Sequence, residues 1–74
     1  MTGPTRIKIC GLRDRRDAAA AVAAGAWAVG VVFADGPRRV DVPTAARVLD
    51  GAEGAARVGV FVDPTLDDLR AAVE

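Results

Sequence analysis

The chain has 74 residues, 51% of them hydrophobic, and its ten basic and ten acidic side chains cancel to no net charge. That balance leaves no footprint for nucleic acid and no attraction to an anionic membrane surface, while the length allows one domain at most, near the lower limit for unaided folding. A single cysteine, with no internal partner and no leading signal pattern, points to a reducing cytoplasm, and no run approaches the roughly 18 apolar residues of a membrane span.

Thr5 to Cys10 is predicted as a strand, ended by a turn at Gly11. Alternation along that strand sends Lys8 and Cys10 to one face and Ile7 and Ile9 to the other. A helix follows from about Asp14 to Ala24, with Asp14 accepting from the backbone N–H three residues on, Asp17 in the dipole-favoured first turn and Gly25 as a left-handed stop. Its alanines favour helix and suit close approach to a sheet. Trp27, the only tryptophan, is expected to pack over a helix-sheet junction.

Ala28 to Phe33 is nearly unbroken in its apolar character, the pattern of a central parallel strand covered on both faces. Ala34 to Val40 forms a polar loop carrying Gly36-Pro37-Arg38-Arg39, and Asp41 caps a second helix with Pro43 in its first turn and Leu49 near its end. Beyond a glycine-rich connection, Val58 to Val62 is the third strand, and Asp63-Pro64 signals the start of a third helix over Thr65 to Glu74.

Strand and helix therefore alternate three times in units of about 25 to 30 residues, the signature of successive βα units with a parallel sheet. Such units place all strand C-termini on one rim, where function sits in α/β sheets and barrels. Cys10, the Arg38 loop and Asp63 share that rim. Three strands do not close a barrel, and open edge strands invite pairing with another chain.

The rim carries the candidate chemistry. A cation near a thiol favours the thiolate, the form that accepts a proton, so Lys8 beside Cys10 suits a general base; a lone cysteine among isoleucines also suits a small buried hydrophobe. Arg38 and Arg39 suit forked hydrogen bonding to a carboxylate or phosphate, or solvation as plain loop charges. Asp63 fits a general acid or anchor, and fits a helix cap better. Asp35 is expected to pair with the adjacent arginines. A Schiff-base role for Lys8 would leave Cys10 without a part. No glycine-rich phosphate fingerprint follows the first strand, and without histidine the scattered aspartates offer no metal site. No cofactor is expected.

Taken together, Arg6-Ile7-Lys8-Ile9-Cys10-Gly11-Leu12, Ala24-Gly25-Ala26, Val29-Gly30-Val31-Val32-Phe33-Ala34, Pro37-Arg38-Arg39-Val40 and Val58-Gly59-Val60-Phe61-Val62-Asp63 resemble the phosphoribosylanthranilate isomerase family of tryptophan biosynthesis, nearly end to end. The resemblance implies a (βα)8 TIM barrel of which residues 1–74 form the N-terminal part, about three of eight units. It implies a metal-free Amadori rearrangement of a small phosphorylated substrate, N-(5-phosphoribosyl)anthranilate, to the 1-deoxyribulose phosphate amine. On that pattern Cys10 is the general base at the sugar's C2, Arg38 grips the anthranilate carboxylate and Lys8 is the strand lysine of the substrate site. Two departures accompany it. The loop between Phe33 and Arg38 is one residue shorter than the family's common form and lacks its serine, leaving open whether Arg38 or Arg39 makes the carboxylate contact; and Arg13 stands where a hydroxyl residue is usual. The family's general acid and phosphate loops would lie beyond Glu74, so the chain alone is expected to be inactive. The alternative is a non-catalytic βα module that self-associates through its open sheet edges.

Overall fold

A middle strand organises the chain. The computed structural model describes residues 5–73, in which β1 (Lys8–Ile9), α1 (Arg15–Ala23), β2 (Ala28–Val32), α2 (Val42–Asp50), β3 (Ala56–Val60) and α3 (Leu66–Val73) follow in order. The strands form one parallel sheet in the order β1-β2-β3. The near-continuous apolar run of β2 earns it the central place, with Ala28 through Val31 all buried.

Register then divides the side chains. Lys8 pairs with Ala28 and Ile9 with Val29, while Ala28 pairs with Ala56 and Val32 with Val60. Paired residues in a parallel ladder leave the sheet on the same side, and successive ones alternate. Val29 and Val31 accordingly pack with Ala18 of α1 and with Ala45 and Val48 of α2, and Val40 and Ala52 complete the cluster. The side bearing Lys8 and Cys10 receives no helix from that core. On the helix side Phe33 and Phe61 stack with ring centroids 4.9 Å apart; a Cβ on Gly59 would stand 3.1 Å from the Phe33 ring, so the glycine makes room for the pair. Helices α1 and α2 approach so closely that a Cβ on Gly51 would lie 2.5 Å from the Arg15 carbonyl oxygen.

Local chemistry ends the elements, with some differences from the sequence expectation. Asp14 caps α1 by accepting from Arg16 N at 2.8 Å, two residues on rather than three. Gly25, at φ 101°, supplies the left-handed stop. Asp41 caps α2 as expected, accepting from Thr44 N at 2.8 Å. For α3 the cap is Thr65, not Asp63: Thr65 N donates to the Asp68 carboxylate at 3.0 Å and Asp68 N donates to the Thr65 hydroxyl at 3.1 Å, a reciprocal capping box. Asp63 instead takes a left-handed φ of 46°, a conformation aspartate tolerates and one consistent with the exclusion of right-handed helix before proline. Glu74, expected as the end of this helix, lies outside the described residues.

Two strands are also shifted. The β1 ladder is confined to Lys8–Ile9, although Trp27 N donates to Ile7 O at 2.9 Å and Leu12 N to Gly30 O at 3.1 Å, so the chain follows β2 on either side. Strand β3 covers Ala56–Val60 rather than 58–62 because it takes its limits from β2: Ala56 N donates to Trp27 O at one end and Phe33 N to Val60 O at the other. Trp27 is 51% exposed instead of packed over a junction; it precedes β2 at the end away from the rim, with the Arg6 guanidinium 5.0 Å above its ring.

The caps make stability fall in acid. The Arg16 guanidinium and then its N–H hold Asp14 below the usual carboxylate range; the Thr44 hydroxyl and N–H do so for Asp41, and the Thr65 N–H and then its hydroxyl for Asp68. A depressed native pKa means that the unfolded chain binds more protons, so these contributions are whole above about pH 4 and lost as pH falls through the native values below it. Helical circular dichroism should be flat down to about pH 5 and decline at lower pH, and Asp14→Asn with Asp41→Asn should flatten the decline.

Candidate active site at the strand C-terminal rim

Cys10 follows directly on β1 and leaves the sheet opposite to Ile9, which sets it beside Gly30 of β2. A Cβ built on Gly30 would stand 3.1 Å from the Cys10 sulfur and 3.5 Å from the Val58 carbonyl oxygen. The sulfur thus lies against bare backbone of the middle strand, and Cys10 is exposed, not walled in by hydrocarbon. Gly11, at φ 77°, then turns the chain off the strand, and Leu12 N ties the turn back to Gly30 O. Lys8 leaves β1 on the same side as Cys10, two residues earlier, and is exposed.

Arg38 arrives from the β2–α2 loop. Its stem lies over Gly11, with Cδ and Cγ each 3.6 Å from where a Cβ would be. Among the described residues its guanidinium makes no hydrogen bond or ion pair. Arg39 differs: its Nε donates to Phe33 O at 3.2 Å and lies 3.7 Å from the Asp35 carboxylate. The expected Asp35 pairing is therefore made with Arg39. Arg13, from the turn after Cys10, donates to Pro37 O at 3.0 Å. Asp63 lies beyond the end of β3 and caps nothing.

The structure thus lays the Cys10 sulfur against Gly30 and the Arg38 stem over Gly11, with Lys8 on the same face of β1 as Cys10. Sequence reasoning did not single out the two glycines as site residues; for Gly30 the available signal was a glycine among the valines of β2, since it marks close approach by another group. An exposed thiol can exchange a proton, and an unpaired guanidinium can fork onto a carboxylate or phosphate. Among the described residues no group of three or more His, Cys, Asp or Glu could hold a metal ion, and no helix is long and apolar enough to cross a membrane. A cleft of about 570 Å³ between α2, α3 and β3 is lined neither by Cys10 nor by Arg38; it lies where the helices meet the sheet.

Consecutive parallel βα units, with core helices on one face and reactive side chains at the strand C-termini, are the construction of (βα)8-barrel enzymes. Residues 7–74 match the sequence model of N-(5'phosphoribosyl)anthranilate (PRA) isomerase, and the chain belongs to that family. It is 46% identical over 67 residues to the N-(5'-phosphoribosyl)anthranilate isomerase of Syntrophomonas wolfei subsp. wolfei, covering 89% of this chain and 33% of that one. The crystal structure of phosphoribosyl anthranilate isomerase from Thermotoga maritima is similar with a TM-score of 0.85 at 36% identity, over 95% of this chain and 36% of that chain. A phosphoribosyl anthranilate isomerase in complex with reduced 1-(o-carboxyphenylamino)-1-deoxyribulose 5-phosphate is similar with the same TM-score of 0.85 and identity of 36%, over 95% and 38% of the two chains. The chain spans about a third of the length of the curated relatives it matches.

The contact between Cys10 and Gly30 can be read by a double-mutant cycle. Gly30→Ala should cost about 1–3 kcal/mol in urea denaturation, the usual cost of overpacking, and less than half of that in a Cys10→Ala background, where the crowding sulfur is gone.

Proposed function

We propose that this chain is the base-bearing N-terminal part of a single barrel domain with phosphoribosylanthranilate isomerase activity, acting in tryptophan biosynthesis in the cytoplasm. The observation that carries the reading is the exposed Cys10 sulfur lying across Gly30, with the Arg38 stem packed over Gly11, the residue that follows it. In this reading the anthranilate nitrogen's lone pair breaks the C1–O4 ring bond to give the N-protonated imine, O4 taking a proton from the general acid, and the Cys10 thiolate takes the proton from C2. The C2–H electron pair forms the C1–C2 double bond while the C1–N π pair returns to nitrogen, and reprotonation at C1 with loss of the enol proton leaves the 1-deoxyribulose amine. Arg38 holds the anthranilate carboxylate, and Lys8 contributes positive charge on the same face. The relative solved with a carboxyphenylamino deoxyribulose phosphate supports a substrate with both a carboxylate and a phosphate. The commitment of Arg39 to Phe33 O and Asp35 favours Arg38 as the anchor. The general acid and phosphate site belong to the remaining βα units of the family's barrel, so the chain alone does not turn over.

Joining residues 7–74 to the remaining units of the Thermotoga maritima relative should give an active isomerase. In it Cys10→Ala should lower kcat by about a hundredfold or more, and a loss below about tenfold removes the base assignment. Arg38→Ala should raise KM about tenfold or more, with Arg39→Ala changing it less than about threefold.

A second reading is favoured by the apolar flanks. Ile7, Val62, Leu66 and Val73 are each more than half exposed, and β1 and β3 leave open ladder edges, a surface suited to a non-catalytic module that pairs with a second copy. Sedimentation of the isolated chain discriminates: concentration-dependent dimers support it, and a well-folded strict monomer removes it.

A further inference from the structure

We propose that Asp35-Gly36, in the loop between β2 and α2, is a self-modification site at which the main chain rearranges to a β-linked, isoaspartyl peptide. An aspartyl carboxyl can be attacked by the amide nitrogen of the next residue, and the attack is favoured where that residue is glycine, which has no Cβ to crowd the nitrogen or restrict the backbone. Only Asp35 and Asp50 precede glycine here, and the chain has no asparagine to react in the same way. Read along the chain, the two pairs are alike. The fold separates them.

Asp50 is the last residue of α2, and Gly51 N donates to Val48 O at 3.1 Å. Its carboxylate lies 3.5 Å from the Arg15 guanidinium, and a Cβ on Gly51 would stand 2.5 Å from Arg15 O. Bringing the Gly51 nitrogen onto Asp50 Cγ therefore requires turning the Asp50 ψ out of the helix, breaking that hydrogen bond and moving Gly51 against α1. Asp35 meets none of these obstacles. It lies outside helix and strand, its side chain is fully exposed, and its pairing with Arg39 at 3.7 Å is a solvated one. Gly36 N–H makes no backbone hydrogen bond among the described residues. Gly36 also has φ 148° and open space about it, so the loop can turn to the attacking geometry without collision.

In the reaction Gly36 N bonds to Asp35 Cγ, the Cγ–OH bond breaks, and the hydroxyl leaves as water with the amide proton. Water then adds to one carbonyl of the succinimide, and the nitrogen takes back a proton from it. Opening at Cγ restores aspartate. Opening at the former main-chain carbonyl breaks its bond to nitrogen, leaving Gly36 linked through Cγ and a carboxylate on Cα. One water leaves and one enters, so the mass is unchanged. The product has one more carbon in the main chain of the loop that carries Arg38 and Arg39, and its carboxylate is moved from the position that Arg39 pairs with.

Ageing the intact chain in heavy-oxygen water tests this, because each ring opening fixes one solvent oxygen at the reacting residue. After transfer to ordinary water, trypsin separates the two pairs into residues 17–38 and 48–57, and fragment masses place the label. In native buffer label should accumulate at residue 35 about tenfold or more faster than at residue 50, the difference being the local opening that α2 demands. In guanidinium chloride the two rates should converge. Asp35→Glu, whose ring would be one carbon larger, should abolish the label in residues 17–38 and leave that at Asp50 unchanged. Methyl transfer to the aged chain by an isoaspartyl carboxyl methyltransferase should rise with the label at residue 35 and fall away in Asp35→Glu. Equal native rates at the two pairs, faster labelling at residue 50, a difference that persists in guanidinium chloride, or label without methyl-accepting product overturns the proposal.

Discussion

The pairing of β1 with β2 is the constraint on which the site depends. Its ladder covers only Lys8–Ile9 opposite Ala28–Val29, yet a slip by one residue would carry Cys10 and Lys8 to the helix-covered side and Ile9 to the open one. The register is held from both ends, by Trp27 N on Ile7 O and by Leu12 N on Gly30 O. It is also held by shape, since Gly30 is where the sulfur can lie against backbone without meeting a side chain. Chemistry and packing thus meet in one contact.

The core is one-sided, and that asymmetry links stability to function. Val29, Val31, Ala18, Ala45 and Val48 occupy the helix side, while α3 buries no residue at all. A thin core of alanine and valine buries little area per residue, and the exposed Ile7, Leu66 and Val73 show where the sheet and the last helix offer surface that further βα units would cover. The open face with Cys10 needs no core of its own, so the reactive side chains stay clear of the packing that holds the strands.

The two rim loops divide their arginines by task. Arg39 stays within its loop, on Phe33 O and Asp35, and among the described residues Arg38 is left without a polar partner. Arg13 spans the gap between the turns.

The order of elements, the central position of β2, the caps at Asp14 and Asp41 and the shared side of Lys8 and Cys10 were all legible in the sequence, because each follows from local periodicity or from a side chain's reach to its own backbone. The limits of β3, the replacement of Asp63 by Thr65 as a cap and the exposure of Trp27 were not, since they are set by where β2 ends and by which surfaces have a neighbour. The choice between Arg38 and Arg39 was open for the same reason: adjacent identical residues differ only in the partners that the folded loop offers them. What the sequence by itself determined was the chemical inventory, one thiol, two loop arginines and glycines for close approach, on a βα alternation that brings strand ends together. Only the tertiary structure decided which backbone the sulfur lies on, a contact between residues twenty positions apart, and which loop guanidinium is committed, because the folded loop rather than its residue order turns Phe33 O and Asp35 toward Arg39.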